Sequence, residues 1–351
     1  MFLKELKKHP WGWLSFWFLL LLYTVAIFAD FISPYRYDNE DRRFAYCPPT
    51  PVHFFSFEKK IYFRPFVYGI KVYRDKFYRR IYQEDKSKIY FLKFFVRGDE
   101  YKFLGIFKCN LHLFGVEGAR IYIWGSDYRG RDLFSRILYG SRISLSIGLI
   151  GASISFLIGL IVGGISGYIG GKVDNFIMRI CEMIMMIPSF YLMLALRASF
   201  PPTLSSSQVY LLIVIILSFI GWASIARVIR GLSLSLRERE FVLAAKVLGI
   251  NDFKIIIRHI LPHTFSFVII NICLSIPSYI LGEAGLSILG LGIQEPQPSW
   301  GNLLSAALGI AHIKLHPWIL IPGIFIFMTV ICFNILGDTL RDILDPTKYI
   351  K

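Results

Sequence analysis

The residues with the clearest chemical purpose lie between Glu240 and Pro262. They read Glu-Phe-Val-Leu-Ala-Ala-Lys-Val-Leu-Gly, then Ile-Asn-Asp-Phe-Lys-Ile-Ile-Ile-Arg-His-Ile-Leu-Pro. Phe241, Ala244, Ala245 and Leu248 recur at i, i+3, i+4 and i+7, which predicts one apolar face on a short helix over 240–248. Gly249 follows as a left-handed stop. Asn251-Asp252 then offers an N-cap for a second helix, which runs into Pro262. Small Ala244 and Ala245 allow another surface to come close. Such a segment docks rather than makes bonds, although an amphipathic helix lying in a membrane interface carries the same pattern.

A second set is rich in charge: Asp127, Arg129, Arg131, Asp132 and Arg136, with Arg142 shortly after. It suits either an interfacial anchor on lipid headgroups or a gate and contact surface. Arg179 and Glu182 stand at i, i+3, the spacing of a structural ion pair. Glu283 lies in an apolar stretch, where a carboxylate is costly in lipid and faces a cavity or a partner. Cys47 and Cys109 lie in a polar region and could close a loop as a disulfide on an oxidising side. Bond-making chemistry is not indicated. No HExxH, GxSxG or CxxC occurs, so neither a metal site nor a hydrolase is expected. Ser166–Val173 (SGYIGGKV) is a near miss for a phosphate loop, with Ser166 where glycine is needed and Val173 where Ser or Thr is needed.

The elements that must position these residues are membrane helices. Of 351 residues, 55% are hydrophobic and 18% charged, against about 45–50% and about 25% for a soluble domain. Six apolar runs approach the roughly 20 residues a bilayer requires: 10–29, 143–171, 180–196, 208–226, 260–282 and 315–337. The first is longer than the roughly 7–15 residues of a signal-peptide core and reads as a retained anchor. Pro188, Pro277 and Pro322 within these runs predict kinks. The glycines of the second run, Gly148, Gly151, Gly159, Gly163, Gly164 and Gly167, predict close helix packing.

Lys4, Lys7 and Lys8 place the N-terminus in the cytoplasm, and six spans return the C-terminus there. The basic segment 231–259 then falls inside. Net charge is +15, and residues 32–142 carry +10 of it, with 22 Lys and Arg against 12 Asp and Glu. A segment this long is exempt from the positive-inside rule, which governs loops up to roughly 60 residues. Strand-like patches at Lys60–Arg64, Val67–Tyr68, Ile89–Phe95 and Tyr101–Phe107, with a turn at Gly98-Asp99, predict a small β-rich extracytoplasmic domain at 36–124. Charge confined there excludes nucleic-acid binding and leaves anionic headgroups or an acidic protein face.

The 240–262 segment resembles the coupling loop of ABC importer permeases, written EAA, three residues, Gly, nine residues, I-x-L-P. Leu243-Ala244-Ala245 occupy the EAA positions, Gly249 the glycine and Leu261-Pro262 the end. Leu243 replaces Glu and His259 replaces Ile, as is usual in the dipeptide/oligopeptide/nickel branch; His263 stands where that branch has Asn. Gly125–Arg142 resembles the branch's GTDxxGRDxxSRxxxGxR element. Glu283–Gly292 with Pro298-Ser-Trp-Gly301 resembles its LSFLGLG…PSWG element, and Asn334–Pro346 its C-terminal signature. The match is closest to the "C" type subunit and leaves the insert aside.

The resemblance implies an all-α, six-span permease of the type I ABC importer kind. Residues 1–35 would form the N-terminus and first helix, 36–124 the insert, and 125–351 the core with coupling loop 231–262. It also implies a non-catalytic subunit of an inner-membrane peptide importer. The partners would be a second permease, two cytoplasmic ATPases that hold ATP and Mg, an extracytoplasmic solute-binding protein and membrane lipid. This chain would carry no cofactor. Glu240, Phe241, Ala244, Ala245, Leu248, Gly249, Leu261 and Pro262 would meet an ATPase, and Glu283 could pair across the permease interface. A nickel or small-solute importer is the alternative within the branch. A membrane-anchored scaffold or receptor with a basic external domain is the alternative outside it.

Overall fold

The computed structural model describes residues 2–55, 61–103 and 105–344. Lys60 of the first strand-like patch, residue 104 of the last, and Asp345-Pro346 of the C-terminal signature lie outside the described residues. The labelled helices are α1 (Pro10–Ile27), α2 (Leu133–Ile169), α3 (Gly171–Met186), α4 (Ser189–Ala198), α5 (Ser206–Arg237), α6 (Glu240–Val247), α7 (Phe265–Ile288) and α8 (Ile321–Leu344). Between α1 and α2 run strands β1 (His53–Phe55), β2 (Ile61–Arg74), β3 (Arg80–Phe103) and β4 (Phe107–Val116). The described residues are mostly helical, and among them five helices are long and apolar enough to span a bilayer, or up to six if the bent pair α3–α4 is one span.

The third apolar run is that pair, bent by 86°. Pro188 is the residue before α4, where the ring stops one helix and permits another to start. The other two prolines do not break helices: Pro277 lies within α7 and Pro322 in the first turn of α8. Helix α5 begins at a capping box, in which Ser205 and Gln208 satisfy each other's backbone N–H.

Contacts divide the described chain into two compact units. One comprises residues 2–19, 145–286 and 327–344, the other 20–144 and 287–326. The core of the first is set by glycine. Gly159, Gly163 and Gly167, four apart on α2, face Trp222, Ala226 and Arg230, four apart on α5. A Cβ on each would lie 3.0, 2.4 and 2.4 Å from the carbonyl oxygen opposite. Gly148 and Gly151 similarly meet Ile280 and Tyr279 of α7. Gly163→Leu is therefore expected to push α2 and α5 apart and cost about 3 kcal/mol, the upper end for overpacking. Gly231→Ala, on α5 with open space around it, is expected to change little. Thermal melting of the purified protein distinguishes the two.

Asp174 of α3 is buried and accepts from Arg230 Nε of α5 (2.9 Å) and Ser166 Oγ of α2 (2.6 Å). This ties the ends of three helices together beside the segment that carries α6.

The second unit holds a four-stranded antiparallel sheet in the order β1-β2-β3-β4. Two sequence expectations fail here. Gly98-Asp99 is not a turn, because β3 runs through it with a register break between Arg97 and Tyr101. Gly98 serves close approach instead, since a Cβ would sit 2.7 Å from the His112 ring. Tyr101–Phe107 is not one strand, because the chain reverses between Phe103 and Phe107. The other reversal, at 75–79, is built by Asp75, whose Oδ1 accepts from Phe77 N (2.8 Å) and Arg79 N (2.7 Å).

Candidate functional site

An eight-residue helix is marginal alone and needs a seat. Helix α6 finds one in the first unit. Val242 and Ala245, one turn apart, are buried against Tyr168 of α2 and Ile255, Ile256 and Ile260. Its C-terminal stop and the start of the short helix that follows are built as the sequence predicts. Gly249 has φ +73, Gly249 N donates to Lys246 O (2.9 Å), and Ile250 N donates to Ala245 O (3.1 Å), the double closure of a Schellman stop. Asn251 Oδ1 then accepts from Phe253 N at 2.9 Å. Tyr168 OH donates to Asp252 at 2.6 Å, and Lys246 lies 4.9 Å from the Tyr168 ring centroid. Glu240 opens the helix, where a carboxylate favours the dipole.

The predicted apolar face is split. Ala245 turns inward with Val242, a residue the periodicity did not single out. Phe241, Ala244 and Leu248 turn outward with Leu243 and Val247. Val247 is 88% and Leu248 79% exposed. Phe241 stacks on His263 at 4.8 Å. Leu261 packs towards Gly164, and Pro262 lies in the first turn of a short 3-10 helix leading into α7. The segment thus presents an apolar edge on a helix seated on one side and closed at its C-terminal end.

The charge cluster is in the second unit. Asp127 Oδ1 accepts from Arg129 N (2.8 Å) and Arg131 N (3.0 Å), and its Oδ2 from Arg131 Nε (2.7 Å). Arg131 also forks onto Glu295, and Arg136 Nη2 donates to Glu295 Oε1 at 2.9 Å. Arg131 is 1% and Arg136 0% exposed at the side chain. Two buried guanidiniums and two carboxylates thus neutralise one another, with Glu295 the member that still reaches water, 35% exposed at the side chain. This corrects the headgroup-anchor expectation for these two arginines, which have no access to lipid. Arg129 does reach the surface and pairs with Glu40. Arg142 stands apart, donating to Ala26 O, Ile27 O and Asp30. Glu295 is the member the sequence reading missed, since it lies 159 residues from Arg136.

Burial pushes Glu295 up, but Arg131 and Arg136 outweigh it and hold its carboxyl below the usual range. Asp132 behaves oppositely. Burial pushes it up to about 7, although Ser135 N (2.8 Å) and Oγ (2.6 Å) donate to its Oδ2. The folded protein therefore holds a proton that the unfolded chain releases above 3.8. Its stabilising contribution is full below that pH and is lost as pH rises through about 7. Melting measured across this range should fall with rising pH, and Asp132→Asn, which keeps the acceptor oxygen without the charge, should flatten the profile.

The remaining site residues resolve simply. Arg179 and Glu182 form the expected i, i+3 pair at 2.9 Å. Glu283 is fully buried within its own chain, which removes it from a partner's surface. Cys47 and Cys109 are free thiols, not a disulfide. Cys47 is buried, with its thiol pushed up to about 12 by desolvation.

Residues 155–348 match the family model described as binding-protein-dependent transport system inner membrane component, more than half of the chain. The chain belongs to this family. Residues 1–49 of this permease also match the N-terminal TM domain of oligopeptide transport permease C. It is 45% identical over 226 residues to the oligopeptide transport system permease protein OppC of Haemophilus influenzae, covering 64% of this chain and 70% of that protein. It is 44% identical over 226 residues to OppC of Escherichia coli (64% and 72%). It is 41% identical over 224 residues to the dipeptide transport system permease protein DppC of Bacillus subtilis (64% and 68%). The permease is thus a non-catalytic, multi-pass inner-membrane transport subunit.

Proposed function

We propose that this permease is one membrane half of an ATP-driven importer of di- or oligopeptides, and that α6 transmits the force of ATP binding. The observation that carries the reading is the edge of α6. Val247 and Leu248 are apolar and almost fully exposed, yet are held on a helix whose other side is seated and whose C-terminal end is closed. A soluble surface gains nothing from that arrangement, whereas a groove in an ATPase would bury it. The substrate class follows the peptide permeases that this chain resembles over most of its length.

In this reading the N- and C-termini and residues 231–262 face the cytoplasm, and residues 36–124 form the extracytoplasmic insert. Residues 125–351 form the core. A second permease completes the path, two ATPases supply ATP and Mg, and a solute-binding protein delivers the peptide. The Asp127–Arg131–Arg136–Glu295 cluster braces the outer end near that delivery site. The test is uptake of a labelled tripeptide into vesicles containing the complete transporter. Uptake should require both MgATP and the binding protein; accumulation of nickel but not peptide would overturn the substrate assignment.

A further inference from the structure

The β3–β4 hairpin of the second unit belongs neither to the α6 segment nor to the charge cluster. At the C-terminal end of α1, Arg142 donates to the carbonyls of Ala26 (2.6 Å) and Ile27 (2.8 Å) and to the carboxylate of Asp30 (2.6 Å). An arginine closing a span in this way marks the level where hydrocarbon gives way to headgroups. The chain then climbs from Phe28 to Ser33, and β3 and β4 lie alongside. Phe28 meets Phe103 (5.8 Å between ring centroids), Phe31 meets Phe95 (6.3 Å), and Ser33 O lies 2.6 Å from Nδ1 of His112, which pairs with Val96. As the chain climbs away from α1, its neighbours in the hairpin move away from the β3–β4 turn. The hairpin therefore descends, and its turn lies level with the end of α1 or deeper.

Among the described residues of that turn, Ile106 and Phe107 are apolar and uncovered. Gly105 N donates to Lys102 O and Ile106 N to Phe103 O, both at 3.0 Å, with Gly105 at φ +75. Ile106 is 73% and Phe107 66% exposed. Ile106 lies one residue beyond the Phe103–Phe107 pair, about 3.3 Å further along the strand direction. On the opposite face Lys102 and Lys108 stand directly across from each other. Among the described residues neither is paired with an acid, and like charges in that position destabilise a hairpin. The arrangement calls for an anionic partner outside the chain.

We propose that the β3–β4 turn is a wedge in the lipid leaflet at the C-terminal end of α1. Ile106 and Phe107 enter the acyl region, and Lys102 and Lys108 extend to lipid phosphates, their alkyl stems lying along the apolar boundary. The proposal rests on α1 crossing the membrane but not on the direction in which it crosses. The turn at 75–79 also exposes aromatic rings, Phe77 and Tyr78. It lies at the other end of the 24-residue strand β3 and serves as the control.

The test uses the full chain in vesicles of phosphatidylcholine and phosphatidylglycerol. Ile106→Cys, Phe77→Cys and Leu14→Cys are each labelled with an environment-sensitive fluorophore, and labelled wild type provides the background. A nitroxide-bearing lipid should quench position 106 severalfold more than aqueous iodide does. Iodide should dominate at position 77, and the lipid quencher at position 14 within α1. Replacing Lys102 and Lys108 by Glu should move position 106 towards iodide; an unchanged ratio would overturn the role of the lysines. Iodide quenching at 106 equal to that at 77 would overturn the wedge. So would shielding from both quenchers, which would mean that protein covers the turn. Failure of lipid quenching at position 14 would overturn the membrane placement of α1 and the wedge together.

Discussion

The double substitution Val247→Asp, Leu248→Asp is expected to abolish ATP-driven uptake while leaving the permease folded. Both side chains project from α6 into open space, so replacing them should change the stability of the isolated chain by no more than about 0.5 kcal/mol. If they fill a groove on an ATPase, each loses about 2 kcal/mol or more of interface energy, as central apolar anchors do. Together that is roughly a 1,000-fold loss of affinity. The transporter should then purify without its ATPases and show no peptide-stimulated hydrolysis. Val242→Asp provides the contrast. Val242 is fully buried in the seat beneath α6, so a carboxylate there should lower melting as well as transport. Loss of melting in the outward variant would show that the edge is part of the fold rather than a docking surface.

Glu295→Ala is expected to have the largest effect on stability. Glu295 receives both Arg131 and Arg136, and those side chains are 1% and 0% exposed. Without it, two buried guanidiniums share Asp127, and Arg136 reaches that carboxylate only at 3.6 Å. Breaking a buried pair by removing one partner typically costs about 3–5 kcal/mol, because the charge left behind cannot return to water. Glu295→Gln should cost less, since it keeps acceptor oxygen and loses only charge. Thermal melting, with proteolysis of the 127–136 segment as a local readout, tests the order Ala worse than Gln worse than wild type. Equal melting of all three would mean that the cluster does not hold this unit together.

Much of this organisation was legible because it depends on neighbours in sequence. Gly249 and Asn251 announce a helix stop and start through local backbone chemistry, and the structure places both as read. Pro188 breaks a helix for the same reason. The Arg179–Glu182 pair needs only one helical turn. Features that depend on distant contacts were not legible. The face of α6 that turns inward is decided by Tyr168 and Ile256, not by its own periodicity, so Val242 was passed over and Ala245, expected on the docking face, turned into the seat. Glu295 acquires its meaning only when the chain returns to Arg131 and Arg136. The spacing of α2 glycines signalled close packing, but not that α5 carbonyls of the same chain would be what they meet. In the sheet, Gly98-Asp99 looked like a turn because glycine is used both for reversals and for close approach, and composition does not separate the two.

The most direct test of the account is where Leu248 lies in the working transporter. Leu248→Cys should cross-link to an ATPase subunit in membranes from cells making the complete importer, and a membrane-impermeant maleimide applied to intact cells should not reach it. Ala245→Cys, facing the seat of the same helix, should give no such cross-link. Labelling of position 248 from outside the cell, or an ATPase cross-link no stronger at 248 than at 245, would contradict the assignment of α6 as the coupling element.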